Sequence, residues 1–247
     1  MKRCFLLCYL FCVLACSAAV ADNVRVGIAS NFLRPATEVA AAFEAATGHT
    51  VLLSAGSTGK LYGQITVGAP YDVFLAADEA RPRALLEKGL AVAGSQRTYA
   101  IGVLALWSNS RNQAAPLKHL QSARYRRLAI ATPALAPYGL AAEQTLQALA
   151  LDYTVTDRLV FGESVAQAMS FVATGNAELG FIALAQIKAL PKERRGRYWV
   201  VPAELHTPIK QDAVLLNASN TAAAEFLDFL STPAATEILT SFGYRLP

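Results

Sequence analysis

The sequence predicts an α/β fold with two lobes, each a mostly parallel sheet flanked by helices, joined by a two-strand hinge. Short apolar runs alternate with helical patterns along the chain, which is typical of βαβ units. Two further strands, Thr98–Trp107 and Asp212–Leu216, lie on either side of a central series of such units. We interpret them as the connections by which the chain leaves the first lobe and returns to it.

The first series of elements begins with the apolar strand Val24–Ile28. Pro35–Ala46 is predicted as a helix because its apolar residues recur at helical spacing and proline suits a first turn. Gly48 ends this helix. The other elements of the series are strand Val51–Leu53, helix Thr58–Val67, strand Tyr71–Ala76 and helix Ala80–Lys88.

A second series follows the strand Thr98–Trp107. Its elements are strand Leu128–Ala131, helix Tyr138–Leu149, strand Leu159–Phe161, helix Ser164–Thr174 and strands Leu179–Ile182 and Trp199–Val201. After the return strand come helices Thr221–Leu230 and Pro233–Phe242, the latter with Thr232 as its N-cap. The order predicts a first lobe of residues 22–102 and 213–247 and a second lobe of residues 103–212.

The first 21 residues have the pattern of a signal peptide. The basic pair Lys2–Arg3 precedes the apolar segment Cys4–Cys16, and Ala19–Ala21 has the small-residue spacing of a cleavage site. The apolar segment is too short to span a membrane as a helix. We therefore expect cleavage near Ala21 and a periplasmic location for the mature chain.

All four cysteines lie in this leader, so the mature chain is expected to contain neither disulfides nor thiols. Val13–Cys16 loosely matches a lipobox, which leaves lipid attachment at Cys16 as an alternative to cleavage after Ala21. Without Lys2 and Arg3 the net charge of +4 falls to +2. Such a small charge predicts binding neither to nucleic acid nor to a membrane surface.

Two turns rich in hydroxyl and small residues each follow a predicted buried strand and lead into a predicted helix. They are Ala29–Phe32 and Gly56–Lys60. A turn at this place presents free backbone N–H groups and a positive helix end at the edge of the sheet, where open α/β sheets bind anions. Neither turn contains an acid or a histidine, so both can donate hydrogen bonds to a negative ligand.

Several segments resemble the periplasmic molybdate-binding proteins of ABC transporters. They are Ile28–Phe32, Ser54–Tyr62, Gly68–Asp78, Gly180–Leu184 and Phe242–Tyr244. The similarity spans the whole mature chain, and the block that ends in Ala-Ala-Asp is specific to this family and its near relatives. The resemblance implies the periplasmic-binding-protein fold, in which two lobes close over a cleft.

By position, the resemblance implies an oxyanion pocket formed by Ser30, Asn31, Ser57, Thr58, Tyr138 and Val165. Ser30 and Asn31 would supply donors from the first turn, and either Thr58 or the adjacent Ser57 would supply the hydroxyl of the second. Tyr138 and Val165 would supply backbone N–H groups from the second lobe. Thr58 stands where the family usually has serine. The resemblance also implies a monomer that captures molybdate or tungstate as an oxyanion, uses no cofactor or direct metal ligand, and delivers it to a membrane ABC permease.

Two other functions remain open at the level of sequence. Another tetrahedral oxyanion, such as sulfate, could occupy a pocket of the same kind. Gly162–Ala166 approximates a nucleophile elbow around Ser164, as in a secreted hydrolase. That reaction would also need a histidine and an acid, and only His206 follows Ser164 in the chain. We therefore expect a binding protein and no enzyme.

Overall fold

Two separate five-stranded sheets organise the chain in the computed structural model, which describes residues 22–111 and 115–247. The predicted signal peptide lies outside the described residues. The strands are β1 (Asn23–Ala29), β2 (Thr50–Gly56), β3 (Val73–Leu75), β4 (Arg97–Gly102), β5 (Leu104–Ser108), β6 (Leu128–Ala131), β7 (Leu159–Gly162), β8 (Leu179–Ala183), β9 (Arg197–Val200) and β10 (Ile209–Leu215).

Helices cover both sheets, and most of them were predicted from apolar periodicity. They are α1 (Leu33–Thr47), α2 (Thr58–Thr66), α3 (Ala80–Glu87), α4 (Pro116–Gln121), α5 (Pro137–Ala148), α6 (Asp152–Val155), α7 (Val165–Ala173), α8 (Leu184–Lys188), α9 (Thr221–Phe229) and α10 (Pro233–Ser241). The short helices α4, α6 and α8 were not predicted. Thr232 caps α10 as predicted, because its hydroxyl accepts from the Ala235 N–H at 3.4 Å.

The two sheets have the same internal plan. The first has the order β2-β1-β3-β10-β4 and the second the order β7-β6-β8-β5-β9. In each, three neighbouring strands are parallel, and the fourth strand, β10 or β5, runs against both of its neighbours. The prediction of two lobes with mostly parallel sheets is confirmed. We call the layers around the first and second sheets the first and second lobes.

The chain passes between the sheets at two places. β4 ends at Gly102 in the first sheet, and β5 begins at Leu104 in the second. The predicted single strand Thr98–Trp107 is therefore two strands, separated by Val103. On the return, β10 lies in the first sheet from Ile209 onward. The predicted boundary between residues 212 and 213 falls inside this strand, so we place the return crossing before Ile209.

Each lobe has its own apolar core. Helices α9 and α10 pack on β1, β10 and α1, which returns the end of the chain to the first lobe. Phe43 and Phe226 meet edge to face in this core at 5.3 Å between ring centroids. In the second lobe, Trp107, Phe181 and Leu146 are buried in one cluster around the second sheet. Within the described ranges, no helix is both long and apolar enough to span a membrane.

Asp72 anchors the residues just before β3 to the neighbouring chain segments. Its buried carboxylate accepts hydrogen bonds from the Arg25 N–H at 2.8 Å and from Asn217 Nδ2 at 2.9 Å. Burial alone would raise the pKa of Asp72, but these hydrogen bonds and the Arg25 guanidinium outweigh it and hold the pKa below its ordinary 3.8. This residue of the Gly68–Asp78 block therefore stabilises the sheet.

We expect Asp72→Asn to lower the free energy of unfolding at pH 7 by about 1.5–3 kcal/mol, because charged hydrogen bonds are replaced by neutral ones. A lowered pKa stabilises the fold above the unfolded-state pKa, and this contribution is lost as the pH falls through the folded-state pKa. The difference in free energy of unfolding between the unmodified protein and Asp72→Asn should therefore shrink below pH 3.8. Urea unfolding across pH measures it, with the exposed Asp157→Asn as control. Equal stability of the two variants at pH 7 would contradict this role.

Candidate functional site

The six residues expected to bind the anion lie on four turns, two in each lobe. In the first lobe, a 3-10 turn, Ser30–Phe32, follows β1, and Ser57 precedes α2. In the second lobe, Tyr138 lies in the first turn of α5 and Val165 begins α7. Each turn lies a few residues after the carboxyl end of a parallel strand. Parallel sheets bind ligands at this edge.

In the first turn, Ser30 and Asn31 have different surroundings. Ser30 is half-buried at the start of the turn. Asn31 is buried, and its Nδ2 donates to Gln211 Oε1 at 2.7 Å and to Tyr244 Oη at 2.8 Å. Both amide hydrogens of Asn31 therefore have acceptors inside the protein. Any donor that Asn31 offers to a ligand is its backbone N–H.

The turn before α2 carries two buried hydroxyls. Ser57 is the N-cap of the helix, and its Oγ accepts from the Lys60 N–H at 3.4 Å. Thr58 Oγ1 accepts from the Ala77 N–H at 3.1 Å. A hydroxyl that accepts from the backbone still has its own proton to donate. Both side chains are therefore held by the protein while remaining able to donate to an anion.

The second lobe offers backbone groups at two helix starts. Tyr138 and Val165 are the second residue of α5 and the first of α7, and both side chains are buried. N–H groups in a first helical turn have no acceptor within the helix and are close to its positive end. These positions can therefore bind an anion through the main chain whatever their side chains are.

Contacts across the cleft bring these turns together. The Gly59 N–H in α2 donates to the Leu135 carbonyl before α5 at 2.9 Å. Lys60 Nζ lies 3.6 Å from Glu163 Oε2, two residues before α7. The turn Ser30–Phe32 contacts α7. The lobes are thus closed on each other. A cavity of about 260 Å³ between them is lined by Ser57 and Ser164 together with Lys60 and Glu163, but by none of the other five residues expected to bind the anion.

The charged side chains that line this cavity are Lys60 and Glu163. None of α2, α5 and α7 has an acid in its first turn. Lys60 and Glu163 pair with each other and are 59% and 72% exposed, so water screens both charges. The three helix starts therefore offer hydrogen-bond donors and positive ends without a carboxylate, and Glu163 is held in an ion pair with Lys60. Such a set suits a fully deprotonated anion.

A buried polar cluster lies behind the turns where the chain crosses between the lobes. We call it the crossing cluster, and its members are Asn31, Tyr99, Tyr138, Gln211 and Tyr244. The Tyr244 hydroxyl donates to the Asn31 carbonyl at 3.2 Å. Burial raises the pKa of all three tyrosines above the ordinary 10.0, so they are neutral. Sequence analysis missed Tyr99 and Gln211, because Tyr99 lies in an apolar run without a local motif and Gln211 precedes the predicted strand Asp212–Leu216.

The crossing cluster also shows where the Tyr138 side chain points. Its hydroxyl is buried against Gly102, where an added Cβ would lie 2.2 Å from the oxygen. Asn31 and Tyr244 lie beside this hydroxyl, but among the residues that the structure describes no hydrogen bond to it has normal geometry. The side chain of Tyr138 therefore extends from the second lobe to the end of β4 in the first lobe, while its backbone lies at the start of α5.

The arrangement does not support hydrolysis at Ser164. Its hydroxyl caps α7 by accepting from the Gln167 N–H at 3.3 Å. The His206 ring contacts the Thr207 carbonyl at 2.8 Å and lines a different cavity, next to Gly102. In the described part of the chain, histidine, cysteine and acidic residues form no group of three that could hold a metal ion.

Residues 24–245 match the family model of bacterial extracellular solute-binding proteins. The chain therefore belongs to this family, whose two-lobed fold and interlobe cleft agree with the geometry above.

Two relatives and one solved structure that are similar to this chain have names that state a ligand. The chain is 47% identical over 235 residues to the molybdate-binding protein ModA of Azotobacter vinelandii, covering 93% of this chain and 92% of that protein. It is 46% identical to ModA of Rhodobacter capsulatus, covering 92% of this chain and 89% of that protein. The solved structure of the Azotobacter vinelandii periplasmic molybdate-binding protein superposes with a TM-score of 0.87 at 42% identity, covering 91% of this chain and 99% of that one.

Proposed function

We propose that this protein captures molybdate in the cleft between its lobes, outside the cytoplasm, and delivers it to an ABC permease. The observation that carries the proposal is the set of four donor turns, two from each lobe, without an acid in any of the three helix starts. High identity to two proteins named molybdate-binding supports the choice of anion. Tungstate, which has the same shape and charge, is expected to bind at the same place.

The chemistry of the ligand matches that of the turns. Molybdate is a tetrahedral dianion with no proton at neutral pH, so it can only accept hydrogen bonds. We assign the hydroxyls of Ser30, Ser57 and Thr58 and the backbone N–H groups of Asn31, Tyr138 and Val165 as donors. Each hydrogen bond to a charged group contributes about 1.5–3 kcal/mol. Several such bonds make the ligand bind tightly without a buried cation, a cofactor or a direct metal ligand.

The family membership fits an exported protein, and the finer details are part of the proposal. We propose that cleavage after Ala21 releases a monomer into the periplasm. The mass of the exported chain tests this, because a start at Asp22 and a lipidated start at Cys16 differ in mass. A mass that corresponds to a lipidated start at Cys16 would contradict release of a free monomer and would indicate a membrane-anchored protein.

Calorimetric titration of the chain 22–247 tests the ligand class. We expect tight binding of molybdate and tungstate and weaker binding of sulfate. Phosphate should bind more weakly, since its remaining proton needs an acceptor and Glu163, the acid that lines the cavity, is paired with Lys60 and 72% exposed. Bound molybdate should also raise the melting temperature, because it binds only the folded state. Sulfate or phosphate affinity equal to that of molybdate would contradict the proposal.

A further inference from the structure

A set of contacts outside the donor turns holds the two lobes together. Arg81 in α3 of the first lobe donates from Nη2 to the Ala134 carbonyl of the second lobe at 2.7 Å. The neighbouring Leu135 carbonyl accepts from the Gly59 N–H at 2.9 Å. Two successive carbonyls of one turn, residues 132–136, are thus held by the first lobe. We call Gly59, Asp78 and Arg81 the clamp.

Asp78 sets the position of the Arg81 guanidinium. Its carboxylate accepts from the Arg81 N–H at 2.9 Å through Oδ1 and forms a close ion pair with Nη1 through Oδ2. Side-chain exposures of only 25% for Arg81 and 20% for Asp78 show that the pair is partly shielded from water. Asp78 is the acid of the Ala-Ala-Asp sequence and is not one of the anion donors. Its contact with Arg81 gives it a function. The pair is electrically neutral, so it adds no net charge beside the anion.

The clamped turn is joined to both anion-binding turns of the second lobe. It leads directly into α5, where Tyr138 lies. Thr132, at its start, donates from its backbone N–H to the Gly162 carbonyl at 2.7 Å and from Oγ1 to the same carbonyl at 3.0 Å. Gly162 ends the strand before Val165. The position of the turn is therefore coupled to the backbone N–H groups of both Tyr138 and Val165.

Gly59 allows the lobes to approach this closely. A Cβ at this position would lie 3.1 Å from both Cα and O of Leu135 and 3.2 Å from Arg81 Nη2. Two of these three atoms are backbone and cannot turn aside. Gly63, one turn later in α2, has no atom within 4 Å of an added Cβ. The requirement for glycine is therefore specific to the interlobe contact.

We propose that Gly59, Asp78 and Arg81 are positioning residues that clamp the turn 132–136 and set molybdate affinity by stabilising the closed state, without touching the anion. The inference rests on the proposed function, because it deepens the same site. A ligand that binds only the closed state has an apparent affinity reduced by the fraction of molecules that are open. Contacts made only on closure therefore strengthen binding from a distance.

Arg81→Ala and Gly59→Ala test the clamp, with Arg83→Ala and Gly63→Ala as matched controls on the same helices. Arg83 is exposed on α3. We expect each clamp variant to bind molybdate about tenfold more weakly and to release it faster in stopped-flow experiments. The melting temperature of Gly59→Ala without ligand should equal that of Gly63→Ala. At a molybdate concentration that saturates the controls but not the clamp variants, small-angle scattering should show a larger radius of gyration for the clamp variants.

Removing Arg81 also leaves the Asp78 charge unpaired near the anion, and this effect must be separated from loss of the clamp. The double variant Asp78→Asn/Arg81→Gln keeps the net charge and removes the ion pair, so it should still bind about tenfold more weakly. Asp78→Asn alone adds positive charge. It should weaken binding if Asp78 acts through Arg81 and strengthen it if only charge matters.

The outcomes distinguish the clamp from the proposed function. If clamp variants and controls have the same affinity and release rate, the clamp is wrong while molybdate binding stands. If the double variant binds normally, the Arg81→Ala effect is one of charge, and the clamp is also wrong. If the unmodified chain prefers another oxyanion, the proposed function fails, and the same variants measured with that anion still decide the clamp.

Discussion

Asn31→Asp is expected to weaken molybdate binding at least about a thousandfold. The substitution keeps the shape of the side chain but places a carboxylate in a buried position beside the donor turn. A unit charge at about 6 Å from a dianion costs about 5 kcal/mol at an effective dielectric constant of 20. The substitution also removes both amide hydrogens of Asn31, which in the unmodified protein are donated to Gln211 and Tyr244. Calorimetry with molybdate measures the loss.

Two variants separate the charge from the lost hydrogen bonds. Asn31→Ala removes the same two bonds without adding charge, so we expect a smaller loss of affinity than with aspartate. Asn176→Asp makes the same chemical change at an exposed position and should bind molybdate normally. If Asn31→Asp and Asn31→Ala weaken binding equally, no anion is bound close to this turn.

Gly102→Ala is expected to disturb the contact between the end of β4 in the first lobe and the Tyr138 side chain of the second lobe. The added Cβ would lie 2.2 Å from the Tyr138 hydroxyl and 3.0 Å from Gln211 Nε2. Overpacking of this kind costs about 1–3 kcal/mol in buried sites. Because Tyr138 also carries a backbone donor at the start of α5, its displacement should weaken molybdate binding as well. Denaturant unfolding and calorimetry measure the two effects.

Tyr138→Phe provides the internal test of this explanation. The hydroxyl is buried and makes no hydrogen bond of normal geometry among the described residues, so its removal alone should change affinity little. In the double variant Gly102→Ala/Tyr138→Phe, the oxygen that meets the new methyl group is gone. Stability and affinity should therefore recover in part, with the ring carbon still 3.0 Å away. A double variant no better than Gly102→Ala would show that the clash is elsewhere.

Local signals in the sequence were enough to predict the main elements of both lobes and the two first-lobe turns of the proposed site. Ser57 and Thr58 follow an apolar strand and begin a helix, and this short pattern already predicts a cap and an anion-binding turn. Tyr138 and Val165 were different. Their contribution is assigned to the backbone, so their side chains carry no chemical signal, and only the family resemblance pointed to them.

What sequence reasoning missed depends on contacts between distant residues. The apolar run from Thr98 to Trp107 does not show that it forms two strands divided at Val103, although the lobe boundary was predicted between residues 102 and 103. Asn31 meets Gln211 across 180 positions. Arg81 reaches Ala134 across 53. Such pairs follow from how the two lobes close, and no periodicity or short motif encodes that.

The location of bound molybdate tests the central claim most directly, which is that backbone and hydroxyl donors from both lobes hold the anion. Anomalous diffraction from crystals of the chain 22–247 grown with molybdate would locate the molybdenum atom. We expect one peak in the cleft, with anion oxygens about 2.7–3.2 Å from the hydroxyls of Ser30 and Thr58 and from the N–H groups of Tyr138 and Val165. A peak outside the cleft, or one held mainly by charged side chains such as Lys60, would contradict the claim.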